Sequence, residues 1–239
     1  MGSIALALIG ILCIATSAAD ATPTLAGAAA IGCRSDGQTG PEPAQTPVVV
    51  PKLTGASASR LAYYEAVGLG VLAPAGWHCF GLYGSNGSFL IVTPERHAED
   101  LLTSKGQIRG RAVQLSLSLG DTSGRFEAAQ IAARLFPSRR HFVEGVMAEQ
   151  IEPRSDFHFG PFSTDVIRRF GDDVVEFTTP PNTAGMGSYS RLVPNGDPIS
   201  GLAMVKPDNS VFLLVVRLPE SQRDLAATII KTVRKSELP

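Results

Sequence analysis

The sequence predicts an α+β fold, in which a mostly antiparallel β-sheet packs against helices in an α/β/α sandwich-like arrangement. About six strand-like runs are joined by short turns, and two helical patterns cover residues 125–136 and 219–234. The run at residues 211–217 is apolar on both faces, which is typical of a central strand. The last helix follows that run, so we expect a C-terminal helix after a central strand.

Residues 69–92 predict a β-hairpin in the core. They contain the only tryptophan, Trp77, and the Asn86-Gly87 pair, whose residues tolerate the positive φ of hairpin turns. Neighbouring residues of a strand point to opposite faces, so His78 is badly placed to activate Cys79 as a nucleophile. This pattern favours a structural Cys79.

Two segments predict helices before and after the middle of the chain. Residues 59–67 predict a short helix, with Ser59 as its N-cap and Gly68 at its C-terminal end. Residues 125–136 predict a longer helix that Pro137 ends.

Residues 113–119 predict the clearest half-buried strand of the chain, because apolar and polar residues alternate there. Valine and leucine side chains share one face, and Gln114, Ser116 and Ser118 share the other. The alternation therefore predicts that one face lies on the core and the other is polar.

The C-terminal half predicts several strands separated by turns. Residues 141–149 fit either a helix or a strand, and residues 165–170 predict one helical turn. The Gly185-Met-Gly-Ser stretch lacks the spacing of a phosphate-binding loop, so it predicts a turn. Strands are predicted at residues 173–179, 188–193, 199–205 and 211–217.

The N-terminus predicts export. Residues 4–15 form a short apolar run followed by small residues, so residues 1–19 are interpreted as a signal peptide, although no Lys or Arg precedes the run. Residues 20–56 are rich in Ala and Pro and are interpreted as a linker or extended arm. A single α+β globular domain is then expected over residues 57–239, in the periplasm or secreted.

The cysteines predict one disulfide bond. Cys13 lies in the leader, which leaves Cys33 and Cys79 in an oxidising compartment, where two thiols are expected to pair. The alternative is lipidation, since Ala30-Ile31-Gly32-Cys33 resembles a bacterial lipobox. A lipid at Cys33 would anchor the protein to a membrane and leave Cys79 free.

Composition and spacing argue against several chemistries. The net charge of −1 and the charged content of 18% provide no basic surface for nucleic acid. No Gly-x-Ser-x-Gly elbow is present. The four histidines lack the spacing of a metal site, so we assign no catalytic residue, no metal ligand and no cofactor; they are His78, His97, His141 and His158.

Three stretches resemble a family of uncharacterised exported bacterial proteins. They are Gly70-Val-Leu-Ala-Pro-Ala-Gly-Trp-His-Cys-Phe-Gly, Gly185-Met-Gly-Ser and Arg217-Leu-Pro. The resemblance covers most of residues 33–234 and implies no activity and no site residue. The order of elements also loosely resembles the α/β/α sandwich of Mog1/PsbP-like domains, which implies a fold but not a function.

The sequence thus favours an exported envelope protein with a non-enzymatic binding or interaction role. The partner is unknown, with another envelope protein or a small ligand as the candidates. The alternatives are a hydrolase, because Ser, His and Asp can meet in space from any order in the chain, and a metal-binding protein that uses His97, His141 or His158.

Overall fold

The computed structural model describes residues 28–47, 49–53, 57–96 and 106–237. The predicted leader at residues 1–19, Cys13 and His97 lie outside these ranges. The described strands are, in chain order, β1 (Ala29–Gly32), β2 (Arg34–Gly37), β3 (Leu61–Ala66), β4 (Leu69–Pro74), β5 (His78–Gly84), β6 (Gly87–Thr93), β7 (Ala112–Ser118), β8 (Val166–Arg169), β9 (Val174–Thr179), β10 (Ile199–Val205) and β11 (Val211–Arg217). The described helices are α1 (Arg125–Leu135), α2 (Arg140–Ala148) and α3 (Arg223–Glu237).

The strands form two mostly antiparallel sheets. The large sheet has eight strands in the order β2-β5-β6-β7-β11-β10-β9-β8, and the small sheet has three in the order β1-β3-β4. Only β2 with β5 and β1 with β3 pair in parallel among the described strands. The predicted α+β class, with helices packed on a mostly antiparallel sheet, is confirmed.

The large sheet is covered on both faces. On one face α1 contacts β7 and β11, and α2 packs against α1. On the other face α3 contacts β10 and β11, while β3 and β4 of the small sheet lie over β5, β6 and β7. All seven residues of β11 are buried, so the prediction of a central strand there is confirmed.

The predicted core hairpin at residues 69–92 is divided between the two sheets. β4 belongs to the small sheet, whereas β5 and β6 form an antiparallel pair in the large one. The turn of that pair uses positive φ only at Gly87, where a Cβ would lie 1.8 Å from the carbonyl oxygen of Leu117. Trp77 is partly buried at the corner between the sheets, and its backbone N–H donates to the Tyr64 hydroxyl at 3.0 Å.

Three predicted elements are wrong, and one open choice is decided. Residues 59–67 contain strand β3 instead of a helix, because Tyr64 is fully buried and its hydroxyl donates to the Pro74 carbonyl of the paired strand at 2.9 Å. Residues 165–170 contain the edge strand β8 instead of a helical turn. Residues 188–193 form no strand, since a 3₁₀ turn and a single bridge from Leu192 to Ile108 occupy that region. Residues 141–149 are helical, as part of α2.

The predicted arm at residues 20–56 contributes one short strand to each sheet. β1 joins the small sheet and β2 the large one, and Cys33 is the residue between them. Its backbone N–H donates to the Glu65 carbonyl at 2.8 Å. The sulfur atoms of Cys33 and Cys79 lie 2.09 Å apart, which is bonding distance, so the bridge joins this crossing point to β5.

Arg217 is a fully buried cation at the end of β11, with 0% of its surface exposed. Its guanidinium donates to the carbonyl oxygens of Val193 at 2.6 Å, Ile108 at 2.7 Å and Gly110 at 2.7 Å. Burial lowers the pKa of Arg217, while the negative charge of Asp197 acts in the opposite direction. The Arg217 side chain therefore connects Ile108 and Gly110, which precede β7, to Val193, which follows the 3₁₀ turn at Met186–Ser188.

We expect removal of the disulfide, by Cys33→Ser together with Cys79→Ser, to lower the free energy of unfolding by about 4 kcal/mol. The reason is that the bridge closes a loop with a sequence separation of 46 residues in the unfolded chain. Urea denaturation of both proteins, with and without reductant, measures the effect. The same midpoint for wild type and double variant would contradict this expectation.

We expect Arg217→Met to lower the free energy of unfolding by about 2–3 kcal/mol, because three carbonyl groups lose their donor. Arg111→Met is the matched control, since Arg111 is exposed. Denaturant titration measures the free energy of unfolding of both variants. Amide hydrogen exchange at residues 106–111 should become faster in Arg217→Met, because Ile108 and Gly110 are no longer bonded to the guanidinium. Equal stability of the two variants would show that the carbonyl contacts contribute little.

Candidate binding cavity

A cavity of about 870 Å³ lies on the α1 face of the large sheet. Its floor is formed by β5, β6 and β7, and its roof by the first turns of α1. The residues that follow the 3₁₀ turn at Met186–Ser188 form one wall. Pockets of this size hold drug-sized ligands.

The polar face of β7 lies on the floor of this cavity. Gln114, Ser116 and Ser118 line it, and each is at most 8% exposed. The prediction of a half-buried strand is therefore wrong for this face, because α1 and its neighbouring loops shield these side chains from bulk solvent. Their alternating polar pattern was visible in the sequence, but it has the same form on a solvent-exposed strand.

Leu82, Phe89 and Phe126 form an apolar surface in the lining, to which Leu117 of β7 also belongs. Leu82 on β5 and Phe89 on β6 pair directly across the two strands, and Phe126 of α1 lies above the floor. All three are only partly buried. The cavity thus combines a polar row on β7 with an apolar surface beside it.

The wall segment is fixed by the carboxylate of Asp165. One oxygen accepts a hydrogen bond from the Thr179 hydroxyl at 2.6 Å, and the other accepts from the Met186 N–H at 2.8 Å. The Gly187 N–H donates to the Thr179 hydroxyl at 2.9 Å. A Cβ at Gly187 would lie 2.6 Å from the Cβ of Ile199, so glycine permits this close approach to β10.

Tyr189 connects the wall to the roof. Its hydroxyl donates a hydrogen bond to Oε1 of Gln130 on α1. Burial raises the pKa of the Tyr189 phenol, and the charge of Glu127 raises it further, while Arg134 acts in the opposite direction. The phenol is therefore protonated at neutral pH and acts as a hydrogen-bond donor.

Arg191 places a positive charge in the cavity. Its guanidinium carbon lies 5.2 Å from the centre of the Phe89 ring, and its backbone N–H donates to Oε1 of Gln114 at 3.2 Å. Burial lowers the pKa of Arg191, and the charge of Glu127 opposes that shift. Within the described ranges, the guanidinium has no hydrogen-bond acceptor and no ion-pair partner.

Three carboxylates also line the cavity, namely Asp36, Glu127 and Glu152, and we call them the rim carboxylates. Glu127 is exposed and close enough to Arg191 to influence its pKa, yet no ion pair joins the two. The cavity therefore has both signs of charge in its lining, without an ion pair between Arg191 and Glu127 among the described residues.

The histidines considered in the sequence do not meet at this site. No histidine lines the cavity in the part of the chain that the structure describes. His78 begins β5, His141 lies on α2, and His158 lies in the loop after it, with the last two exposed. The described residues also contain no group of three or more His, Cys, Asp or Glu side chains that could hold a metal ion.

Comparison with protein-family models, with curated proteins and with solved structures finds no match to this chain. No helix in the described ranges combines the length and apolar character that crossing a membrane requires.

We expect Asp165→Ala to loosen the wall of the cavity and to lower the free energy of unfolding by about 2 kcal/mol. Two donors, the Thr179 hydroxyl and the Met186 N–H, would lose their charged acceptor. Hydrogen exchange at Met186 and Gly187 measures the loosening. Asp172→Ala is the control, because Asp172 is exposed, and equal exchange in both variants would show that Asp165 does not hold this segment.

Proposed function

We propose that this protein is an exported binding protein that holds a small polar ligand in the cavity between β5–β7 and α1, without covalent chemistry. The observation that carries the proposal is the buried polar row on β7, which faces a cavity of about 870 Å³. Ser116 donates to the Leu213 carbonyl at 3.4 Å and Gln114 accepts from the Arg191 N–H at 3.2 Å, whereas the Gln114 amide nitrogen has no acceptor among the described residues. Polar groups that line a shielded volume beside apolar surface favour a ligand that can form hydrogen bonds with them.

The composition of the lining supports binding over catalysis. Nucleophilic catalysis by serine needs a base within hydrogen-bond reach. Among the described residues of the lining, the serines have no histidine beside them. The mixture of apolar surface with a few polar groups is typical of ligand sites.

Export is supported by two independent features. One is the leader pattern at residues 1–19. The other is the bridge between Cys33 and Cys79, since disulfides persist in oxidising compartments. A bridged Cys33 has no thiol left for a lipid, so we propose the periplasmic or secreted form over the lipid-anchored one. Membership of the exported bacterial family that the sequence resembles is part of the same proposal.

Saturation-transfer NMR with three mixtures of compounds tests the cavity. The mixtures contain free amino acids with short peptides, mono- and disaccharides, and small carboxylic acids. We expect at least one mixture to bind the wild type. Binding should weaken about tenfold in Gln114→Met, which alters the floor of the cavity, and in Ser123→Trp, which fills part of its lining. Ser155→Trp is the control for an exposed tryptophan outside the lining.

Melting curves establish that each variant is folded before binding is compared. A folded wild type that binds none of the three mixtures would contradict the proposal. Binding that is unchanged in both cavity variants would also contradict it, because the ligand would then lie elsewhere.

A further inference from the structure

Resting on the proposed function, we infer that the ligand is a short peptide with free termini, whose C-terminal carboxylate binds Arg191 and Gln114 and whose ammonium group faces the carboxylates of the rim. Three features support the inference, namely the donors of Gln114 and Arg191, the presence of both signs of charge in the lining, and the size and apolar part of the cavity.

The guanidinium of Arg191 indicates an anionic ligand group. It is partly buried, it stacks on Phe89, and it has no acceptor within the described ranges. A cation withdrawn from water is destabilising unless an anion pairs with it. The planar fork of an arginine matches a carboxylate with two parallel hydrogen bonds.

Gln114 provides a second donor beside Arg191. The side chain is 3% exposed, and its Oε1 already accepts from the Arg191 N–H at 3.2 Å. Its amide nitrogen therefore remains as a donor, and it has no acceptor among the described residues. A donor of this kind, lining the same cavity as the guanidinium, fits the second oxygen or the neighbouring carbonyl of a peptide terminus.

The rim carboxylates decide which anionic ligand fits. Asp36, Glu127 and Glu152 give the lining three negative side chains against the single positive charge of Arg191. A phosphate, with up to two negative charges, would be repelled by the rim. A zwitterion pairs its carboxylate with Arg191 and its ammonium group with the rim, so both signs of charge are matched.

The size and apolar surface of the cavity favour a peptide over a single amino acid. A volume of about 870 Å³ lies near the upper end for drug-sized ligands. An extended peptide spans about 3.3–3.6 Å per residue, so a peptide of two to four residues is about 7–14 Å long. Leu82, Phe89 and Phe126 provide apolar contact for a side chain of that peptide.

Isothermal titration calorimetry with three probes tests the inference. The probes are the tripeptide Gly-Leu-Phe, its C-terminal amide and its N-acetyl derivative. We expect the amide to bind about tenfold more weakly than the free acid, because it loses the charged pair with Arg191. The N-acetyl derivative should bind about threefold more weakly, because its partner Glu127 is exposed and Asp36 and Glu152 are only partly buried.

Variants of Arg191 assign the effect to this residue. In Arg191→Gln the free acid and the amide should bind equally, whereas Arg191→Lys, which keeps the charge but not the fork, should give an intermediate preference. Arg111→Gln is the matched control at an exposed position, and it should keep the full preference. Melting curves confirm that the variants are folded. If Arg191→Gln does not fold, the reduced preference for the free acid in Arg191→Lys still tests the role of this residue.

The outcomes separate this inference from the proposed function. Equal binding of acid and amide to the wild type overturns the peptide assignment, as does a preference that survives Arg191→Gln. Binding of a saccharide or a simple carboxylic acid in the cavity, without the tripeptide, overturns the inference but leaves the proposed function standing. No binding of any compound overturns both.

Discussion

The width of the large sheet, relative to the helix that covers it, determines where this protein has a cavity. Eight strands at a spacing of about 4.8 Å make a sheet roughly 34 Å wide, whereas one helix is about 10–12 Å across. α1 lies over β7 and β11, and α2 packs against α1 and shares an apolar cluster with residues of β9 and β10, on the side away from β5 and β6. The face of β5 and β6 therefore extends beyond the helical layer, and the cavity lies at the edge of that layer.

The same arrangement explains why polar residues are tolerated inside β7. On the face towards α3 and the small sheet, β7 contributes Val113 and Leu115 to a closely packed core. On the opposite face, Gln114 and the serines border an open volume, where water or a ligand can satisfy them. The Asp165 carboxylate then places Tyr189 and Arg191 across from that row. A rigid sheet and a hydrogen-bonded loop together hold the polar groups in fixed positions, which would lower the entropic cost of binding the proposed ligand.

Much of the fold was predictable from the sequence, whereas most of the cavity was not. Long apolar or alternating runs identify β7, β10 and β11, because their period is repeated often enough to be unambiguous. Residues 59–67 are too few to show a clear period. They form strand β3 because they pair with β4, which the local sequence does not reveal. The burial of Gln114 depends on how the start of α1 and the residues after the 3₁₀ turn pack over β7, and the contact of Arg191 with Phe89 depends on the bridge from Leu192 to Ile108. No local pattern contains such long-range information.

The two parallel pairings of the N-terminal arm have a consequence for the order in which the chain assembles. β1 and β2 are synthesised before any other described strand, yet their partners β3 and β5 come later in the chain. Long-range parallel pairing is slow because a large loop must close first. β1 and β2 are therefore expected to join the two sheets only after their partner strands have formed, although they precede those partners in the chain. The bond between Cys33 and Cys79 would then form late in folding, once β2 has paired with β5.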